Sequence, residues 1–302
     1  MENTSLLTLP HDLFVSKLPT GEKEFFCSIC FPTGGGEPAS LSWKLTFSQG
    51  ESLSSERAIT KQELEQGRVS VSAILPPAFE SGELTVWLAS YQATWPVQSY
   101  SQKDKFRLPL EGQVLVVVGH RIGETHRSAF QIPSQQFAWD LVPLHQDGLR
   151  LLKRSLSGTL EAQDFAGFGQ PVLAPGEGVI VKAEGGNPDL TQVGELPGNL
   201  DYYLEDITRA TGNYVIIDHG NEVWSCLAHL KQGSVQVKEG QHIKTWDTLG
   251  ELGNSGFSSG PHVHLHFMNG PDLLAASPLP IALDVEAGTY APGAGEITSS
   301  EV

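Results

Sequence analysis

Gly260-Pro-His-Val-His-Leu-His-Phe267 alternates strictly between imidazole and apolar side chains. A β-strand repeats every two residues, so this spacing predicts a strand with His262, His264 and His266 on one face and Val263, Leu265 and Phe267 on the other. The apolar set points into a core. Three imidazoles in a row make little sense as packing and good sense as one wall of a metal site, since neutral imidazole is a favoured zinc ligand. Same-face neighbours on a strand stand about 7 Å apart. One histidine can therefore bind a metal while the next reaches water or substrate.

Working outward, Gly253-Asn-Ser-Gly256 and Ser258-Ser-Gly-Pro261 form a Gly-rich turn leading directly into that strand. Further strand candidates in the same region are Val114 to Val118, Gly178 to Ala183, Tyr214 to Asp218, Val223 to Leu230 and Ser234 to Lys238. Between two of them, Gly185 to Gly212 reads as a long insertion with a helical turn from Asp201 to Ala210. Insertions of this length are often lids or flexible surface loops. Residues 1–108 read as a separate all-β module. Phe25 to Phe31, Leu41 to Phe47, Val69 to Leu75 and Leu84 to Tyr91 are apolar or β-branched runs bounded by turn residues, a spacing that suggests a small sandwich. Thr60-Lys-Gln-Glu63 fits a capping box opening a short helix. The expected boundaries are 1–108 for this accessory module, 109–290 for the histidine-bearing domain and 291–302 for a frayed tail.

Gly (32) and Pro (19) are abundant, and 39% hydrophobic against 18% charged residues suits folded, mainly β domains. The net charge of -16 is uneven: residues 1–110 carry 9 basic and 12 acidic residues, residues 111–302 carry 10 and 23. An acidic surface repels phosphate backbones, so nucleic acid is not an expected partner. No run is apolar and long enough to be a transmembrane segment. Met1 to Pro10 lacks the basic and apolar pattern of a secretory signal, which by itself predicts a cytoplasmic chain. Cys27 and Cys30 lie three apart in a predicted strand, on opposite faces, which argues against a shared metal; with Cys226 they offer no disulfide framework. His11 reads as a lone surface histidine.

Gly253-Asn-Ser-Gly-x-Ser-x-Gly-Pro-His-x-His264 resembles the C-terminal signature of the lysostaphin-type zinc endopeptidases. Other motifs of that family follow in order: the hairpin Gln170-Pro-Val-Leu-Ala-Pro-Gly-Glu-Gly-Val-Ile180, the strand and turn Gly212-Asn-Tyr-Val-Ile-Ile-Asp-His-Gly220, the box Leu227-Ala-His-Leu230, and Val237-Lys-Glu-Gly240 with Leu249-Gly250. The resemblance covers about residues 113–285. It implies a fold of antiparallel sheet, the duplicated hybrid motif type, after the sandwich-like module. It also implies Zn2+ as cofactor and a peptide substrate in peptidoglycan cross-links or Gly-rich bridges. The cell envelope or exterior would then be the location.

The family's first motif is matched to Thr125-His126 and Gln136-Phe-Ala-Trp-Asp140, with thirteen residues between the two ligands where three are usual. The resemblance thus implies His126, Asp140 and His264 on the metal, with His120 competing for the first position, and His229 and His262 as the catalytic pair. His266 has no defined role; His145, His219 and His242 are expected at the surface. Catalytic zinc keeps three protein ligands plus water, and histidine titrates near working pH, as proton transfer requires. Two other readings compete. One is a non-catalytic binding or regulatory protein on the same scaffold. The other is a biotinyl or lipoyl carrier, for which only Lys238 lies beside a suitable turn and which has no use for the histidine strand.

Overall fold

The structure is a computed structural model of the 302-residue chain. It describes residues 7, 9, 13–17, 20–31, 40–89, 91–121, 126, 132–145, 151–153, 159–194 and 197–300. His11, Thr125 and residues 127–131 of the spacer after His126 lie outside the described residues. Two compact units meet at Ser101 and Gln102.

The first unit has seven strands: β1 (Leu13–Lys17), β2 (Lys23–Cys30), β3 (Ser40–Phe47), β4 (Ser52–Ala58), β5 (Arg68–Leu75), β6 (Ser81–Leu88) and β7 (Tyr91–Ser99). They form one sheet in the order β4-β3-β6-β7-β1-β2-β5. The strands of this sandwich-like module are continuous through a parallel pairing of β1 with β7. Leu41, Leu45, Leu84 and Val86 from one half share a buried cluster with Phe25, Ile29, Val69 and Val71 from the other. Helix α1 (Lys61–Gln66) fully buries no residue and adds only the partly buried Leu64 to that cluster, so the two halves of the sheet supply the core. Cys27 lies in this core and Cys30 is half-buried.

The second unit continues with β8 (Phe106–Arg107), β9 (Gln113–Val118), β10 (Trp139–Pro143), β11 (Pro171–Leu173), β12 (Gly178–Glu184), helix α2 (Leu200–Glu205), β13 (Asn213–Asp218), β14 (Trp224–Leu230), β15 (His242–Ile243), β16 (Thr248–Glu251), β17 (Val263–Met268), β18 (Leu283–Val285), β19 (Gly288–Tyr290) and β20 (Ile297–Ser299). Its main sheet runs β15-β12-β13-β14-β17-β10-β9-β20. Every neighbouring pair in it is antiparallel. Val263, Leu265 and Phe267 are fully buried on the back of β17, with Trp139 and Leu141 of β10 opposite Leu265 and Val263.

Three details depart from the sequence expectations. Residues 102–108 pack within the second unit: Phe106 lies 4.7 Å from Phe267, and β8 pairs with β18. The tail expected from 291 is tied down, because β20 pairs with β9 and the Trp139 indole donates to the Pro292 carbonyl at 3.0 Å. Ser234 to Lys238 forms no strand; Gln236 bonds only once to Leu249, and Ser234 turns back onto Lys231.

The helix read from Thr60 is present with its capping box. Glu63 N–H donates to Thr60 Oγ1 at 3.2 Å and Thr60 N–H to Glu63 Oε2 at 2.9 Å. Arg57 clamps the same carboxylate with two bonds of 2.9 and 2.5 Å. The Arg57 bond above all holds the Glu63 pKa down at about 2. Its ionised form is thus favoured by folding, and this stability is present above the ordinary carboxylate pKa and lost as pH falls through about 2. In urea unfolding of the full chain, wild type should exceed Glu63→Gln at neutral pH, with the difference closing as the pH approaches 2. Thr60→Ala should cost about 1 kcal/mol. A pH-independent difference between wild type and Glu63→Gln would contradict the ion-pair account.

Candidate active site

Antiparallel pairing of β10 with β17 sets Asp140 directly opposite His264. Directly opposed residues project to the same face. His264 Nδ1 lies 3.1 Å from Asp140 Oδ1. His126 reaches the same oxygen, with Nε2 at 3.0 Å, and its ring stands 4.7 Å from that of His264. One ligand atom from each of His126, Asp140 and His264 lies within 4.8 Å of the others. Ligands at about 2.1 Å in a tetrahedral zinc site stand about 3.4 Å from one another. The His126–Asp140 and His264–Asp140 edges, 3.0 and 3.1 Å, are close to that, and two imidazoles with one carboxylate are a donor set zinc accepts.

His262 precedes β17, with Nε2 3.4 Å from Asp140 Oδ1. Its Nδ1 lies 2.7 Å from the Gly260 carbonyl, which can only accept, so Nδ1 carries the proton. His229 arrives differently. Ala228 of β14 pairs with His264 and Leu227 with Leu265, so simple alternation would aim His229 at the core behind. The β13–β14 ladder instead shifts register between Asn213 and Val215. His229 takes a left-handed backbone with φ of 63°, and such bulges re-aim side chains beside active sites. Its ring accordingly lies 4.6 Å from that of His262 and 5.9 Å from that of His264. His229 Nδ1–H donates to the Ser255 carbonyl at 2.8 Å.

The remaining histidines separate cleanly. His120 is buried against Trp139, ring centroids 3.7 Å apart, and is not in the ligand group. His219, expected at the surface, is partly buried against Phe106 and bonded to the Glu177 carbonyl and Ser225 hydroxyl. His242 is exposed and His145 half-exposed. His266 is buried behind His264, with Nδ1 3.0 Å from His264 Nε2.

Burial shapes the titration of the cluster. Desolvation lowers His229 well below the ordinary imidazole value, His264 to about 4, and His266 well below. At His262 burial acts in the same direction, but the charge and hydrogen bond of Asp140 outweigh it and raise the pKa. At Asp140 burial pushes upward, and the charges and bonds of His126 and His262 win, holding the carboxyl well below its usual range.

The insertion frames the site. Asp189 accepts the Asn254 N–H at 2.7 Å, Asn254 Nδ2 donates to the Leu190 carbonyl, and Gly194 N–H donates to Ser259. Tyr203 of α2 donates to the Gly256 carbonyl at 3.0 Å and packs on Phe257. These bonds fasten the insertion to the turn whose Ser255 and Gly260 carbonyls orient His229 and His262.

His126 and Asp140 are half-buried and His264 is buried, and two further imidazoles, His229 and His262, flank this group of possible metal ligands. Residues 159–274 match the sequence model of Peptidase family M23. An uncharacterized metalloprotease of Buchnera aphidicola subsp. Baizongia pistaciae is 32% identical over 102 residues, covering 33% of this chain and 21% of that protein. Peptidoglycan DD-endopeptidase ShyA of Vibrio cholerae is 33% identical over 102 residues, covering 33% of this chain and 18% of that protein. The matched segment spans about a fifth of the length of these curated relatives. Among solved structures, the catalytic domain of the antimicrobial peptidase lysostaphin from Staphylococcus simulans is 16% identical with a TM-score of 0.30, covering 56% of this chain and 88% of that one. The family match begins after His126 and Asp140, so geometry alone joins these two to the matched histidines.

Gly212 marks the tightest approach of insertion and turn. It has φ of +63°, and an added Cβ would stand 2.5 Å from the Ser255 backbone. Gly198, in the same insertion, has open space around it. Gly212→Ala should destabilise the protein by about 1–3 kcal/mol in denaturant unfolding, while Gly198→Ala stays within about 0.5 kcal/mol. Equal effects would refute the fastened insertion.

Proposed function

We propose that this chain is a zinc-dependent endopeptidase that cleaves peptide bonds in peptidoglycan cross-links or Gly-rich peptides. The observation that carries this reading is the convergence of His126, Asp140 and His264 from separate chain segments onto one point, with His229 and His262 beside it. His126, Asp140 and His264 would hold the zinc ion. When bound, that ion polarises a peptide carbonyl and lowers the pKa of water to about 7.

The chain's own residues supply the proton chemistry. His229 and His262 both commit Nδ1–H to backbone carbonyls. Each therefore offers Nε2 to the site, as a lone pair when neutral and as a donor when protonated. Between them they can take the proton of the attacking water, hydrogen-bond the developing oxyanion and return a proton to the leaving amine. The Ser255 and Gly260 carbonyls keep both rings aimed without further reorganisation.

Peptidoglycan as substrate is supported by the name of the Vibrio cholerae relative, and it carries with it a location in the cell envelope. No helix among the described residues is long and apolar enough to cross a membrane. The non-catalytic alternative loses ground because candidate side chains for all five positions are present and close together.

Elemental analysis of purified protein should find about one zinc per chain. Asp140→Ala and His264→Ala should lose it. His229→Ala and His262→Ala should retain it while peptide release from purified sacculi falls about 10²–10⁴-fold. Chelation should abolish release and added zinc restore it. Full zinc content and full release in all four variants would overturn the assignment.

A further inference from the structure

His266 lies outside both the ligand group and the His229–His262 pair, yet it is only 1% exposed and hydrogen-bonded through both nitrogens. Its bonds have a definite direction. Ser134 Oγ, itself fully buried, lies 2.7 Å from the Leu273 carbonyl, which can only accept. The single Ser134 proton is used there. Ser134 Oγ must then accept from His266 Nε2–H, 3.3 Å away. A neutral ring with its proton on Nε2 has a bare Nδ1. That atom lies 3.0 Å from His264 Nε2, which must donate to it. His264 is left with its lone pair on Nδ1, the atom 3.1 Å from Asp140 Oδ1. Two acceptors facing each other at that distance make a seat for a cation.

We propose that Ser134 and His266 are positioning residues: the relay Leu273 C=O, Ser134, His266, His264 fixes His264 in its Nε2–H tautomer, so that Nδ1 is presented as the metal ligand beside Asp140. This rests on the metal reading of the site and adds two residues to it. The second nitrogen of a metal-binding histidine is held by a hydrogen-bond partner that sets tautomer and ring angle, and loss of such a partner costs about 10–100-fold in metal affinity. Here the partner is a third imidazole on the same strand face, itself set by a hydroxyl from the 3-10 turn Pro133–Gln135. That turn lies a few residues before Asp140, so the segment carrying one ligand also orients another.

The tautomers can be read directly in metal-free, full-length protein labelled with 15N-histidine, using long-range nitrogen–proton correlation spectra. Both His264 and His266 should carry the proton on Nε2. The reversed chain, with both protons on Nδ1 and His264 donating to Asp140, would overturn the relay. Zinc affinity by competition with a chromophoric chelator should fall about 10–100-fold in His266→Phe, and less in Ser134→Ala. His266→Gln should return to within a few-fold of wild type, because an amide can accept from His264 and donate to Ser134. A folded His266→Phe variant binding zinc as tightly as wild type would also overturn the relay. If that variant does not fold, the wild-type spectra decide alone. Wild type that takes up no zinc would sink the proposed function itself, whereas normal uptake with Nδ1–H tautomers removes only the relay.

Discussion

The register of β10 against β17 governs the site. Asp140 faces His264 because Trp139 faces Leu265 and Leu141 faces Val263, and these apolar partners are buried to completion on the other side of the sheet. A slip of one residue would turn the carboxylate into that apolar layer and put Trp139 among the imidazoles, which desolvation forbids. The packing of the back face thus fixes the front face to within a hydrogen-bond length. The same strand pair explains how ligands 124 residues apart can meet without a long positioning loop.

His229 is the exception that alternation cannot supply. A strand residue next to Ala228 belongs on the core side, and only the bulge with its left-handed backbone returns the imidazole to the front. A non-glycine residue in that conformation costs about 1–3 kcal/mol. Two bonds offset the cost: Nδ1–H to the Ser255 carbonyl, and the His229 carbonyl accepting from Gly253 N–H. Both partners belong to the Gly-rich turn, and the insertion holds that turn through Asp189, Leu190 and Tyr203. Substrate-side geometry therefore depends on a segment that contributes no residue to the ligand group. Its anchoring fits a wall better than a lid.

What the sequence made legible follows from period and local chemistry. The His-x-His-x-His run announced its strand because polarity and period coincide there, and Thr60 announced its helix because a capping box is a local contact. Strands β1, β4 and β7 gave little signal. β4 reads Ser-Leu-Ser-Ser-Glu-Arg-Ala and is exposed almost throughout, held as an edge by its backbone ladder to β3 rather than by burial. β7 carries polar residues and Pro96 among its apolar ones. Ser234 to Lys238 misled in the opposite sense, since a Val-x-Val alternation arises as readily from one buried side chain in an extended loop. Of the site, the residue types were visible, but the aim of His229 and the relay through Ser134 were not. Both depend on which atoms face which after folding, and a lone serine in a turn carries no mark of the histidine it will meet.

The site also makes an energetic argument about its own purpose. The back face of β17 is filled with Val263, Leu265 and Phe267, the solution a sheet adopts when stability alone decides. The front face gathers His126, His229, His262, His264 and His266 around one carboxylate, most of them with little exposure. Burying so many polar rings costs free energy unless each finds a partner. His229, His262 and His266 find partners for ring nitrogens within the protein, through Ser255, Gly260, Ser134 and His264. The ring nitrogens that face the carboxylate are His126 Nε2, His264 Nδ1 and His262 Nε2, at 3.0, 3.1 and 3.4 Å from Asp140 Oδ1. A face that satisfies its periphery and leaves lone pairs converging at its centre is unfavourable as packing and favourable as a ligand set. Coordination of a divalent cation there would add to the stability of the fold as well as supply its chemistry.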